Sequence, residues 1–104
     1  MRRFGAITVS LTLVGLMSVL STHSFAYTGE KLAKGAKVNI EQARAIALQT
    51  HAGAITDEEL EREKGGSGLR YSFDIKNDGA VYEVGGDAQT GKVLENKKEG
   101  RNPD

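Results

Sequence analysis

The stretch Leu69-Arg70-Tyr71-Ser72-Phe73-Asp74-Ile75-Lys76-Asn77-Asp78-Gly79-Ala80-Val81-Tyr82-Glu83-Val84-Gly85-Gly86-Asp87 decides the fold. Tyr71, Phe73 and Ile75 alternate with Arg70, Ser72 and Asp74, the period of a strand with one buried face. Asp78-Gly79 supplies the residue types that a tight hairpin turn needs at its two central positions. Tyr82 and Val84 then alternate with Val81 and Glu83. A turn centred on Asp78 and Gly79 sets the register. Ile75 faces Tyr82, Phe73 faces Val84 and Tyr71 faces Gly86 on the inner side. Asp74 faces Glu83 and Arg70 faces Asp87 on the outer side. A slip of one residue would drive Phe73 and Ile75 into water, so the pairing is tightly constrained.

Downstream, Asp87-Ala88-Gln89-Thr90-Gly91 reads as a second turn. Asp87 and Thr90 have side chains that hydrogen-bond nearby backbone, and Gly91 accepts the left-handed conformation that closes such a turn. Val93 and Leu94 then form a short last strand, and residues 96–104 are expected as a disordered tail. Upstream, Gly65-Gly66-Ser67-Gly68 is a loop. Residues 54–64 are ambiguous on local grounds. Thr56 with Glu59 makes a possible capping box and the composition favours helix, yet Ile55 and Leu60 alone are large and apolar. Residues 40–51 are clearer. Asn39 with Gln42 makes a capping box, Val38 stands where a staple residue would, and Ile40, Ala43, Ile46 and Ala47 fall at helical spacing. Gly53 supplies a stop. Residues 27–37 are polar and lysine-rich, and are expected as a flexible leader.

Residues 1–26 read as an export signal. Arg2 and Arg3 precede an apolar run from Phe4 to Leu20, and Ser24-Phe25-Ala26 places small residues at the −3 and −1 positions of a cut after Ala26. The run lies at the lower limit for an uncleaved membrane anchor, and its serines and threonines weaken it further. Cleavage leaves no membrane span and an exported protein, periplasmic or secreted. It also changes the arithmetic. The whole chain of 104 residues is 38% apolar with formal charge zero, but 14 of its 40 apolar residues lie in the signal. The remainder has 12 basic and 14 acidic residues, a net of −2, so binding to nucleic acid through a basic patch is not expected. There is no cysteine, so a compact core must replace disulfides in an oxidising compartment. The length allows one domain and leaves little room for a coenzyme-sized pocket; no cofactor is expected.

Tyr82-Glu83-Val84 followed by Asp87-Ala88-Gln89-Thr90-Gly91-Lys92-Val93-Leu94 resembles the signature of the PepSY domain family, found in peptidase propeptides and many exported bacterial proteins. Ile40-Glu41-Gln42-Ala43 with Ile46-Ala47-Leu48 resembles the family's helix. Leu60-Glu61-Arg62-Glu63, the glycine loop and Tyr71-Ser72-Phe73-Asp74-Ile75 resemble its first two strands. The resemblance covers residues 38–95 and implies an α+β fold, one amphipathic helix packed on a small antiparallel sheet of three to four strands. It therefore turns residues 54–63 from helix to strand. Glu58 and Gly86 depart from the family's pattern, which usually has an apolar residue at the first position and a β-branched one at the second. Both imply a thin core.

The residues offer little for catalysis. After cleavage His51 is the only histidine, and no local pattern joins it to a hydroxyl and a carboxylate. The glycine loop lacks the lysine of a phosphate-binding loop. Zinc sites need several Cys or His ligands, and these are missing. No enzyme activity, catalytic residue or metal centre is expected. Asp87, Thr90 and Gly91 are structural turn residues. The outer sheet face, with Arg70, Ser72, Asp74 and Glu83 and the carboxylates of Asp57, Glu59, Glu61 and Glu63, is the expected partner-binding surface. It suits a basic partner, or a weak cation site at Asp74 and Glu83. The resemblance implies a small binding module that modulates or inhibits a peptidase or another protein by non-covalent contact. The alternative is an envelope sensor or accessory domain that binds a cation or small ligand through the acidic face and reports to a membrane-bound envelope protein.

Overall fold

The computed structural model describes residues 26–100. Apart from Ala26, the expected signal lies outside the described residues, as do the last four residues of the expected tail. A short 3-10 helix spans Glu30–Gly35, and helix α1 spans Ile40–Thr50. Four strands follow: β1 (Ala54–Arg62), β2 (Leu69–Asn77), β3 (Ala80–Asp87) and β4 (Val93–Lys98). They form one antiparallel sheet in the order β1-β2-β3-β4. The helix covers one face of it, so the architecture is α+β as expected. No helix among the described residues is long and apolar enough to cross a membrane.

The capping box forms in full. The Gln42 N–H donates to Asn39 Oδ1 at 2.8 Å and the Asn39 N–H donates to Gln42 Oε1 at 2.9 Å. Such a cap is worth about 1 kcal/mol, because it satisfies N–H groups that have no partner inside the helix. The helix stops at Thr50 with His51 as an extended C-cap, two residues before Gly53. Ala43 and Ala47 are the helix residues buried in the core. Their small side chains let the helix lie against Tyr71, Phe73, Ile75 and Val84 of β2 and β3. The hydroxyl of Tyr71 donates to the Val38 carbonyl at 2.7 Å, fastening β2 to the turn before the helix. Burial, with Tyr27 beside it, pushes the Tyr71 phenol up to about 12.

The central hairpin follows the register read from the sequence: Ile75 opposes Tyr82, Phe73 opposes Val84 and Tyr71 opposes Gly86. Asp78 and Gly79 turn it with φ of 53° and 79°. Residues 54–62 are strand rather than helix, with an irregularity between Ile55 and Asp57. Pairing with β2 overrides local helix propensity because it buries Leu60 and completes a hydrogen-bond ladder.

Two terminal expectations give way. Residues 27–37 are folded, not a flexible leader. Tyr27, Leu32, Ala33 and Ala36 pack against the core, and Thr28 bridges Glu59 in parallel, its carbonyl accepting the Leu60 N–H at 2.8 Å. Burying these four apolar side chains offsets the entropy of ordering a lysine-rich segment. Residues 96–98, expected within a disordered tail, continue β4 by pairing with Tyr82, Glu83 and Val84. Backbone hydrogen bonds to an existing strand carry the pairing past the last apolar residue.

The two departures from the family's pattern have different outcomes. Glu58 does point to the helix-covered face, opposite Phe73, where Arg44 of α1 meets it. Arg44 Nε donates to Glu58 Oε1 at 2.9 Å and its Nη2 donates to Oε2 at 3.3 Å. Gly86 leaves space. With Ala43, Ile46, Ala47, Tyr71, Phe73 and Val84 it lines a cavity of about 10 Å³ between helix and sheet. That is room for one water at most.

Candidate functional site

Among the described residues no helix covers the outer face of the sheet, and its two ends differ. At one end the β1–β2 loop and the β3–β4 turn meet over Asp87 and Arg70. Asp87 is only 2% exposed. Its Oδ2 accepts from the Ser67 N–H at 2.6 Å, and its Oδ1 accepts from the N–H groups of Gln89 at 2.8 Å and Thr90 at 3.1 Å. Burial alone would raise its carboxyl, but these donors more than reverse that and hold it at about 2. The loop comes this close because Gly66 is bare: a Cβ there would stand 2.2 Å from Asp87 Oδ2. Thr90 Oγ1 accepts from the Lys92 N–H at 3.1 Å, and Gly91 closes the turn with φ of 81°. The three expected turn residues thus sit together, with Asp87 also tying a second loop to the turn.

Arg70 lies on the outer face opposite Asp87 as the register requires, yet it is only 8% exposed. Its Nη2 donates to the Lys64 carbonyl at 3.0 Å. Its Nη1 stands 3.4 Å from Glu95 Oε1 and 3.7 Å from Glu63 Oε2. Its Nε has no acceptor among the described residues. Ser72 is buried as well and donates to Glu61 Oε2 at 2.9 Å. Neither residue offers an open surface.

The other end, beside the β2–β3 hairpin, is open. Asp74 opposes Glu83 on one side and Asp57 on the other. Partial burial raises the Asp74 carboxyl, and the charges of Glu99 and Asp57 raise it further. Partial burial raises Glu83 too, followed by Glu95, Glu99 and Asp74, with Lys97 acting the other way. Carboxylates directly opposite one another repel, and among the described residues no ion pair reaches Asp74 as Arg44 reaches Glu58. Glu99 was not read from the sequence as part of this face. Its place follows from the continuation of β4, whose alternation brings it beside Val81. Among the described residues no group of three or more His, Asp or Glu side chains is arranged to hold a metal ion, so Asp74 and Glu83 stand as a pair without a cage.

His51 lies apart, on the helix-covered side. Its ring stacks on Tyr82, centroids 3.7 Å apart and planes at 25°. It therefore packs as an aromatic plate over the end of the sheet rather than joining a nucleophile.

Comparisons with known proteins agree with this architecture. No curated protein and no solved structure matches the chain. The family model of the PepSY domain, described as "Peptidase propeptide and YPEB domain", matches residues 37–97. The matched region runs from the residue before Val38 to the last residue but one of β4 and takes in the helix, the sheet and the Asp87 turn, and so the chain belongs to the PepSY family.

Proposed function

We propose that this domain is an exported, non-catalytic binding module that modulates or inhibits a peptidase, or another envelope protein, by non-covalent contact. The family is associated with peptidase propeptides and their regulation, and a protein partner follows from that association. The observation that carries the choice of surface is the open hairpin end of the outer face, where Asp57, Asp74, Glu83 and Glu99 crowd together. A basic segment of a partner laid across it would neutralise charges that repel one another in the free domain. Arg70 and Ser72, buried toward the loop end of the same face, take no part in this surface. Electrostatic attraction of this kind acts mainly on the rate of association and on specificity, and weakens with salt.

The test adds the purified protein to peptidases of the same compartment and follows both binding and hydrolysis. Binding that falls at least tenfold in the double variant D74K/E83K, with melting behaviour intact, supports the reading. Binding unchanged by that charge reversal overturns the choice of surface, and no effect on any such peptidase overturns the partner class. Export with cleavage after Ala26 is checked by intact mass. A chain beginning at Tyr27 is expected, and one that retains Arg2 and Arg3 overturns it.

A further inference from the structure

The edge of β4 points to an interaction surface distinct from the acidic face. β4 pairs with β3 alone, and no strand covers its other side among the described residues. The opposite edge of the sheet is different, because Thr28 caps β1 at Glu59. The register irregularity of β4 falls between Gly85 and Gly86, so residues 95–98 form a regular ladder. The Glu99 N–H donates to the Val81 carbonyl at 2.8 Å. Backbone groups alternate in direction along an antiparallel strand, so those of Lys97 and Glu95 also turn toward β3. Those of Asn96 and Lys98 turn outward and are free to pair.

We propose that a second copy of this chain pairs here, antiparallel, about a two-fold axis through Asn96, joining two sheets into one. In this register the two Asn96 residues exchange backbone N–H and C=O groups. Glu95 of each copy then faces Lys97 of the other, at the non-hydrogen-bonded positions where side chains approach most closely. The two-fold repeats each ion pair, as an isologous interface must. Shifting the axis is penalised at every neighbouring position. An axis on residue 95 sets Glu95 against itself, one on 97 sets Lys97 against itself, and one on 98 does the same to Lys98. Lys97 can reach across the axis: its side chain is 66% exposed and is held within the chain by a 3.4 Å ion pair to Glu95 and by its place opposite Glu83. Lysines on an edge ordinarily discourage pairing, and here they admit one register while rejecting the others.

An interface of one strand pair is small, so association is expected in the micromolar to millimolar range. Sedimentation equilibrium of the purified protein up to about 1 mM measures it. A concentration-dependent dimer is expected. N96P should abolish it while leaving the monomer folded, because the lost N–H takes no part in the ladder with β3 and proline is tolerated on an edge. K97E should weaken the dimer about tenfold or more, and E95K/K97E, which restores unlike charges across the axis, should recover it. Glu95 also contacts Arg70, so N96P serves as the decisive variant if the double exchange disturbs the fold. A monomer throughout the concentration range overturns the proposal. So does a dimer that tolerates both N96P and K97E.

Discussion

Asp87 and Asp74 lie on the same face of the same sheet, and their carboxyls are driven in opposite directions. At the loop end, three backbone N–H groups converge on Asp87 and keep it charged although it is almost fully buried. At the hairpin end, Asp74 is half-buried among Asp57, Glu83 and Glu99 and is pushed up. Burial disfavours charge at both ends. The donors decide the outcome, and those donors exist only where two loops fold over the sheet edge. The loop end has thus used its charge to hold structure together. The hairpin end keeps carboxylates that repel one another, offset only in part by Lys97 opposite Glu83, and these are the charges the proposed partner would neutralise.

The most severe way to break this contrast is at Asp87. Asp87→Ala removes the acceptor for three buried or half-buried N–H groups and should cost about 3 kcal/mol, read by urea or thermal unfolding at pH 7. The same interaction can be removed by acid. The folded carboxyl titrates near 2 and the unfolded one near 3.8, so its contribution is fully present above pH 4 and lost as pH falls through 2. That loss amounts to about 2 kcal/mol, and it should be absent from the pH profile of the Asp87→Ala variant.

A change on the opposite face supplies a pH-independent reference. A Cβ on Gly86 would meet nothing closer than the Lys92 carbonyl at 4.0 Å, and it would enter the cavity beneath α1. Gly86→Ala should stabilise by about 0.4–1 kcal/mol at every pH, since it reduces the freedom of the unfolded chain without strain in the folded one. The smallest expected effect is at Asp74. Asp74→Asn relieves repulsion and should stabilise by a few tenths of a kcal/mol at pH 7 and low salt. A raised carboxyl destabilises the fold above its folded pKa, so the gain should shrink as pH falls through the carboxylate range. If Asp74→Asn stabilises equally at pH 7 and pH 3, repulsion is not its cause and the contrast between the two ends fails.

Much of this was legible along the chain. The alternation from Leu69 to Ile75 and the Asp78-Gly79 turn specify the hairpin pairing residue by residue. Asn39 and Gln42 specify the start of the helix. Asp87, Thr90 and Gly91 specify the second turn. These features are local, and each is settled by residues within a few positions of one another. The fold of the leader was less visible, although Leu32 and Ala36, one helical turn apart, carry a faint signal of it. Its order depends on Tyr27 meeting Tyr71, with ring centroids 6.5 Å apart, and on Thr28 meeting β1. No local pattern records either encounter.

The candidate site divides along the same line. The register assigns Arg70, Ser72, Asp74 and Glu83 to one face, and that assignment holds. Which of them is open to a partner depends on how loops and strands distant in sequence close over the sheet. Lys64 and Glu95 bury Arg70, Glu61 takes up Ser72, and Arg44 answers the charge of Glu58. Backbone pairing and capping are short-range and follow from residue type and spacing. Burial and charge compensation are sums over neighbours brought together from the whole chain. They appear only once the helix, the four strands and their loops have taken their places.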